Sequence, residues 1–93
     1  MKISRVRYTP EAANRLRKLH PDVKKDIRSG IEILSSASHS GHALHFELSG
    51  LWSYRVRSYR IIYQINEETS TLDILLVGAR RNIYEELRKF LLK

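Results

Sequence analysis

The hydrophobic period of this chain switches from helical to alternating near residue 41, and that switch limits the folds open to it. Before it, apolar residues recur at helical spacing: Ala12, Leu16 and Leu19, then Val23, Ile27, Ile31 and Leu34. After it they alternate, over residues 44–48, 51–57, 59–65 and 71–77, with Gly50 and the polar stretch 66–70 supplying turns. A helical half and a strand half that bury their apolar faces together make an α+β domain. Residues 2–8 alternate as well and read as a short N-terminal strand. Thr9 is a good N-cap ahead of Pro10 at the first helical position, with Glu11 favouring the positive end of the helix. His20-Pro21 ends this first helix, and a second is expected over about 22–36. Two helices with so short a joint form an αα-hairpin. Asn82 with Glu85 predicts a capping box, and Ile83, Leu87, Phe90 and Leu91 supply the stripe of a C-terminal helix. The predicted order is βααββββα: a strand, a helical hairpin, then a twisted, mostly antiparallel sheet of about four strands and a last helix. Residues 72–77 (LDILLV) are nearly all apolar and predict a central strand covered on both faces.

Length and composition narrow the function. Ninety-three residues predict one small domain spanning 1–93. A chain this size buries only roughly 60 to 65% of its unfolded surface, so a thin core and no cofactor are expected. The absence of cysteine excludes disulfides, thiolate zinc sites and a cysteine nucleophile, and suits a reducing cytoplasm. No apolar run approaches the ~20 residues that cross a bilayer, and the N-terminus lacks a signal-peptide core, so no membrane partner is expected. Seventeen basic residues against ten acidic give a net charge of +7 and a pI near 10.1. Such a balance points to a polyanion or an acidic protein partner. Much of the excess lies in the first third, where Arg15, Arg17, Lys18, Lys24 and Lys25 read as a solvated helix face. The segment between Leu48 and Asn66 carries Arg55, Arg57 and Arg60 and no acid.

Pairing arithmetic places these arginines. A hairpin turning at Arg57-Ser58 sets Val56 opposite Tyr59, Arg55 opposite Arg60, Tyr54 opposite Ile61 and Trp52 opposite Tyr63. The apolar and aromatic pairs then share one face, and Arg55 and Arg60 share the other. Like charges directly opposed are destabilising, whereas a phosphate between two guanidinium groups reverses the sign. Arg57-Ser58 lacks the Gly or Asn that a tight hairpin prefers. A second cluster, Arg80, Arg81 and Tyr84, follows the last strand at the start of a helix, where anions are favoured. The Tyr84 phenol there could bond a phosphate, stack on a base, shuttle a proton or simply pack. His39, His42 and His45 fall where a loop runs into a strand, so residues three apart face opposite ways and a metal site is not expected. His42 or His45 beside the arginines suits a general base, with Glu47 a weaker candidate.

At YRVRSYRIIYQI and VGARRNIY the chain resembles the RelE/ParE superfamily of type II toxins. The first family pattern falls on Leu48, Ser49, Gly50, Trp52, Arg55, Tyr59, Arg60 and Tyr63, the second on Val77, Gly78, Ala79, Arg80 and Tyr84. Element order, length and charge match too, so the resemblance covers essentially the whole chain. It implies a RelE-like fold and a ribosome-dependent mRNA endonuclease that is metal-free: the ribose 2′-OH attacks the adjacent phosphorus and leaves a 2′,3′-cyclic phosphate. It also implies a RelB-like antitoxin that wraps the toxin. By resemblance, Arg60 and Arg80 hold the phosphate, Arg55 helps activate the 2′-OH, and Tyr84 stacks or assists proton transfer. Arg57, Arg81 and His45 are expected as further RNA or phosphate contacts. The chain departs from RelE-type members in a shorter hairpin turn, in Ala79 where relatives carry Lys or His, and in Ser53 where RelE has lysine. Where YoeB-like relatives place a glutamate base, this sequence has His42, so the base is His42, then His45, or the mechanism is purely electrostatic. The ParE branch implies the alternative, a DNA gyrase inhibitor that binds without cutting RNA. A nucleic-acid-binding or antitoxin-binding module without catalysis is the third reading.

Overall fold

The structure, a computed structural model, describes residues 2–92. Its elements are β1 (Arg5–Tyr8), α1 (Pro10–Lys18), α2 (Pro21–Ser36), β2 (His42–Ala43), β3 (Trp52–Val56), β4 (Tyr59–Asn66), β5 (Thr71–Ala79) and α3 (Ile83–Leu91). The predicted order holds, and the α+β class with it. Five strands form one sheet in the order β1-β5-β4-β3-β2. Only β1 and β5 run parallel, and the helical hairpin carries the chain from β1 to β2 at the opposite edge; the other pairings are antiparallel.

Thr9 caps α1 as expected: its Oγ1 accepts the Ala12 N–H at 3.1 Å and donates to the Leu75 carbonyl at 2.6 Å, fixing the helix to β5. α1 ends at its extended C-cap Leu19, and His20 opens α2, its Nδ1 accepting the Asp22 N–H at 3.1 Å ahead of Pro21. The two helices cover one face of the sheet, where Ile27, Ile31 and Leu34 pack with Ile61, Tyr63, Leu72, Ile74 and Val77. On the opposite face α3 lays Ile83 and Leu87 against Leu48, Leu51, Ile62 and Leu76. β5 serves both cores. The register slips between Ile62/Leu76 and Tyr63/Ile74, so Leu75 is an extra residue, and side chains beyond it change face. That bulge explains a nearly continuous apolar run in a strand that does not simply alternate. β5 lies inside the sheet, flanked by β1 and β4, while β4 is the middle strand.

Two expectations are corrected. The strand expected over 44–48 does not form; the edge strand is instead the two residues of β2, just before that segment. Phe46 takes a left-handed φ of 57°, which breaks extended structure, and Phe46–Leu48 form a 3-10 turn that tucks Leu48 under α3. The capping box at Asn82 does not form. Asn82 has helical angles (φ −111°, ψ −13°) and makes no side-chain cap, whereas capping needs an extended residue. Glu85 instead pairs with Lys89 at 3.6 Å.

Tyr63 is fully buried and organises the loop before β2: its hydroxyl donates to the Ser38 carbonyl (2.8 Å) and accepts the Gly41 N–H (3.2 Å). Burial pushes its phenol above the usual tyrosine value, the Gly41 bond pulls the other way, and Tyr54 adds a smaller upward push. In the raised state the folded chain holds this proton more tightly than the unfolded chain. Stability from this group is therefore full below the unfolded value of 10.0 and is lost as pH rises through the folded one. Urea denaturation at pH 9, 10 and 11 is expected to show a declining midpoint that Tyr63→Phe flattens.

Candidate active site

The β3–β4 hairpin has the register that pairing arithmetic predicts: Arg55 opposes Arg60, Val56 opposes Tyr59, Tyr54 opposes Ile61 and Trp52 opposes Tyr63. The two-residue turn forms without glycine because Arg57 adopts a φ of 56°. Trp52, Tyr54, Val56 and Tyr59 face the helical hairpin, which leaves Arg55 and Arg60 on the α3 face.

On that face a cross-strand row runs from His42 through Ser53 and Ile62 to Leu76. Arg60 lies diagonal to Ser53, a separation its long side chain spans, and its Nη1 donates to Ser53 Oγ at 3.1 Å. Tyr84, in the first turn of α3, donates its hydroxyl to the same Oγ at 3.2 Å. Ile83 and Leu87 seat that helix, and Arg15 of α1 pairs with Glu86 and reaches the Val77 carbonyl at 3.5 Å. Ser53 itself is 0% exposed. A buried serine thus joins the arginine of a sheet to the tyrosine of a helix, with His42 its direct neighbour in the edge strand.

The other arginines lie around this group. Arg55 shares the face of Arg60, but its Nε donates to the Arg57 carbonyl at 3.0 Å, so its head lies back over the turn. The Arg80 N–H donates to the Ser58 carbonyl at 2.7 Å, bringing the end of β5 to the hairpin turn. Arg80 follows by two residues Gly78, the cross-strand partner of Arg60. With Arg81, Ser58, Tyr59 and Ala79 it lines an open cleft of about 690 Å³. Arg57 is not part of the group: its guanidinium pairs with Asp26 on α2, on the opposite side of the sheet. His45 is exposed beyond β2, and Glu47 is drawn to Arg88 of α3 at 3.4 Å. His39 packs edge-on against Trp52 on the hairpin face, so the three spaced histidines diverge. Among the described residues no group of three or more His, Cys, Asp or Glu side chains could hold a metal ion, and no helix is long and apolar enough to cross a membrane. Sequence reasoning missed Ser53 as a participant. Its signal was present: a small polar residue whose parity in the strand matches that of Arg55.

The model of the ParE toxin family, described as the toxin of the type II toxin–antitoxin system parDE, matches residues 6–84. The chain belongs to the RelE/ParE superfamily of type II toxins. Toxin RelG of Mycobacterium tuberculosis is 33% identical over 81 residues, covering 85% of this toxin and 93% of that relative. The crystal structure of the toxin–antitoxin complex RelBE2 from the same organism is similar at 32% identity. It has a TM-score of 0.75 and covers 86% of this toxin and 94% of that chain. A free E. coli RelE double mutant, 23% identical, shares the fold with a TM-score of 0.75 over 96% of this toxin and 97% of its own chain. The RelE-like fold expected from the sequence is therefore the fold of this toxin.

Proposed function

We propose that this toxin is a ribosome-dependent endonuclease that cuts mRNA by attack of a ribose 2′-oxygen on the adjacent phosphorus. The observation that supports it most is the convergence of Arg60 and Tyr84 on Ser53, with His42 next to Ser53 in the sheet. In this reading His42 takes the 2′-OH proton as the O2′–P bond forms and the P–O5′ bond breaks. Arg60, with Arg80, neutralises the charge that develops on the phosphoryl oxygens. Tyr84 protonates the departing 5′-oxygen, leaving a 2′,3′-cyclic phosphate and a 5′-hydroxyl. Arg55 adds charge next to Arg60, and Arg81 and His45 contact flanking RNA. The ribosome supplies the orientation that so open a site lacks, a contribution worth several kcal/mol. A RelB-like antitoxin, by likeness to the toxin–antitoxin complexes above, covers this face, and the setting is the cytoplasm.

Arg57 lies outside this set. Arg57→Ala is expected to lower stability by about 1 kcal/mol, since the Arg57 side chain of this pair is 67% exposed, and to leave cleavage within a few-fold of wild type. Parallel denaturation and cleavage assays check it.

The match to the ParE family model favours a second reading, inhibition of DNA gyrase by binding. Translation in vitro with purified toxin and mapping of mRNA 5′ ends, run beside a gyrase supercoiling assay, separates the two. Ribosome-dependent cleavage is the expected result; blocked supercoiling with intact mRNA establishes the second reading instead.

A further inference from the structure

We propose that Ser53 is a positioning residue that acts through Tyr84: it links the phenol to the charge of Arg60 and supports loss of the phenolic proton to the leaving oxygen. This rests on the nuclease reading. The argument starts from hydrogen-bond capacity. A guanidinium only donates, so Ser53 Oγ accepts from Arg60 at 3.1 Å. It also accepts from Tyr84 at 3.2 Å, which fills both lone pairs and leaves the serine's own hydrogen uncommitted on a fully buried side chain. A hydroxyl can rotate. When RNA brings a 5′-oxygen to Tyr84, the phenolic hydrogen turns to that oxygen, and the Ser53 hydrogen turns to the lone pair that Tyr84 Oη then presents to it. The proton passes from Tyr84 to the 5′-oxygen as the P–O5′ bond breaks. The phenolate left behind accepts a hydrogen bond from a serine polarised by Arg60. The proton His42 takes from the 2′-OH returns through solvent to Tyr84 and restores the resting state.

Position also follows from the register. Ser53 opposes Ile62 and His42, so its side chain is confined between two strands and beneath Tyr84 of α3. At this position a neutral hydroxyl conducts the charge of Arg60.

The test is single-turnover cleavage of ribosome-bound mRNA by wild type, Ser53→Ala and Tyr84→Phe. Each acts on an ordinary scissile linkage and on one with sulfur in place of the bridging 5′-oxygen. A thiolate leaves without protonation, so the sulfur linkage removes the need for the acid. Ser53→Ala is expected to slow the oxygen linkage by about tenfold or more, within the 10²–10⁴-fold that a positioned proton donor contributes. On the sulfur linkage both variants are expected to return to within about threefold of wild type. Equal loss on both linkages with an unchanged denaturation midpoint, or no loss on either, overturns the role of Ser53 while leaving the nuclease reading intact. Wild type that leaves both linkages whole overturns the nuclease reading, and this role with it.

Discussion

Arg60→Ala is expected to reduce ribosome-dependent mRNA cleavage by about 10²–10³-fold, the usual effect of deleting one donor aimed at developing transition-state charge. The loss is expected in the rate at saturating ribosome complex rather than in its binding, since Arg60 is one of seventeen basic side chains and its removal leaves most of the long-range attraction in place. Fold and antitoxin binding are expected to persist. Arg60 sits opposite Arg55, so its removal ends a like-charge pair across β3 and β4. It also removes one donor to Ser53 Oγ without stranding it, because Tyr84 still donates there. Stability should therefore stay level or rise slightly while activity falls, a combination that separates a functional arginine from a structural one. Single-turnover cleavage and urea denaturation of the same preparations measure both. Loss of activity in step with loss of stability would remove Arg60 from the chemistry.

What could be read from the sequence follows how local each determinant is. The β3–β4 register was legible because one turn fixes it, and a shift by one residue would expose Trp52, Tyr54 and Tyr63 together. The helix starts were legible because Thr9-Pro10 is a local signal. The parallel pairing of β1 with β5 joins segments separated by both helices and three strands, and nothing within either strand specifies it. The end of the supposed strand at 44–48 turns on one backbone angle, that of Phe46, at a residue whose side chain gives no hint of a left-handed conformation. In the site, Arg55 and Arg60 were placed by parity alone. Ser53 was visible only as a departure from relatives, because its importance comes from two side chains, one on a neighbouring strand and one on a helix 31 residues away. Arg57, basic and adjacent in sequence, was drawn instead to Asp26, a partner that only the packing of α2 against the hairpin provides.

Gly41→Ala is expected to destabilise the toxin by about 1–3 kcal/mol and to reduce cleavage as well, through one steric cause. A Cβ at this position would lie 2.5 Å from Tyr63 Oη and 2.7 Å from the Ser53 carbonyl. The tyrosine is buried and doubly bonded and the carbonyl is backbone, so neither can withdraw cheaply. The loop must move, and the loop carries His42 into its two-residue pairing with β3, which has little else to hold it. Gly50 provides the control. A Cβ there meets nothing within 4 Å, and the penalty of Gly50→Ala arises only from its φ of 92°, so cleavage should survive a comparable loss of stability. The Tyr63 contact can be isolated by a double-mutant cycle. Tyr63→Phe alone leaves the Ser38 carbonyl without its buried donor, at about 1–3 kcal/mol. In the Gly41→Ala background it also removes the closest obstruction, so the pair should cost less than the sum, with a coupling of about 0.5–3 kcal/mol. Additive penalties would mean that the Ser53 carbonyl alone sets the need for glycine, and His42 would then stay displaced in the double variant with cleavage unrecovered.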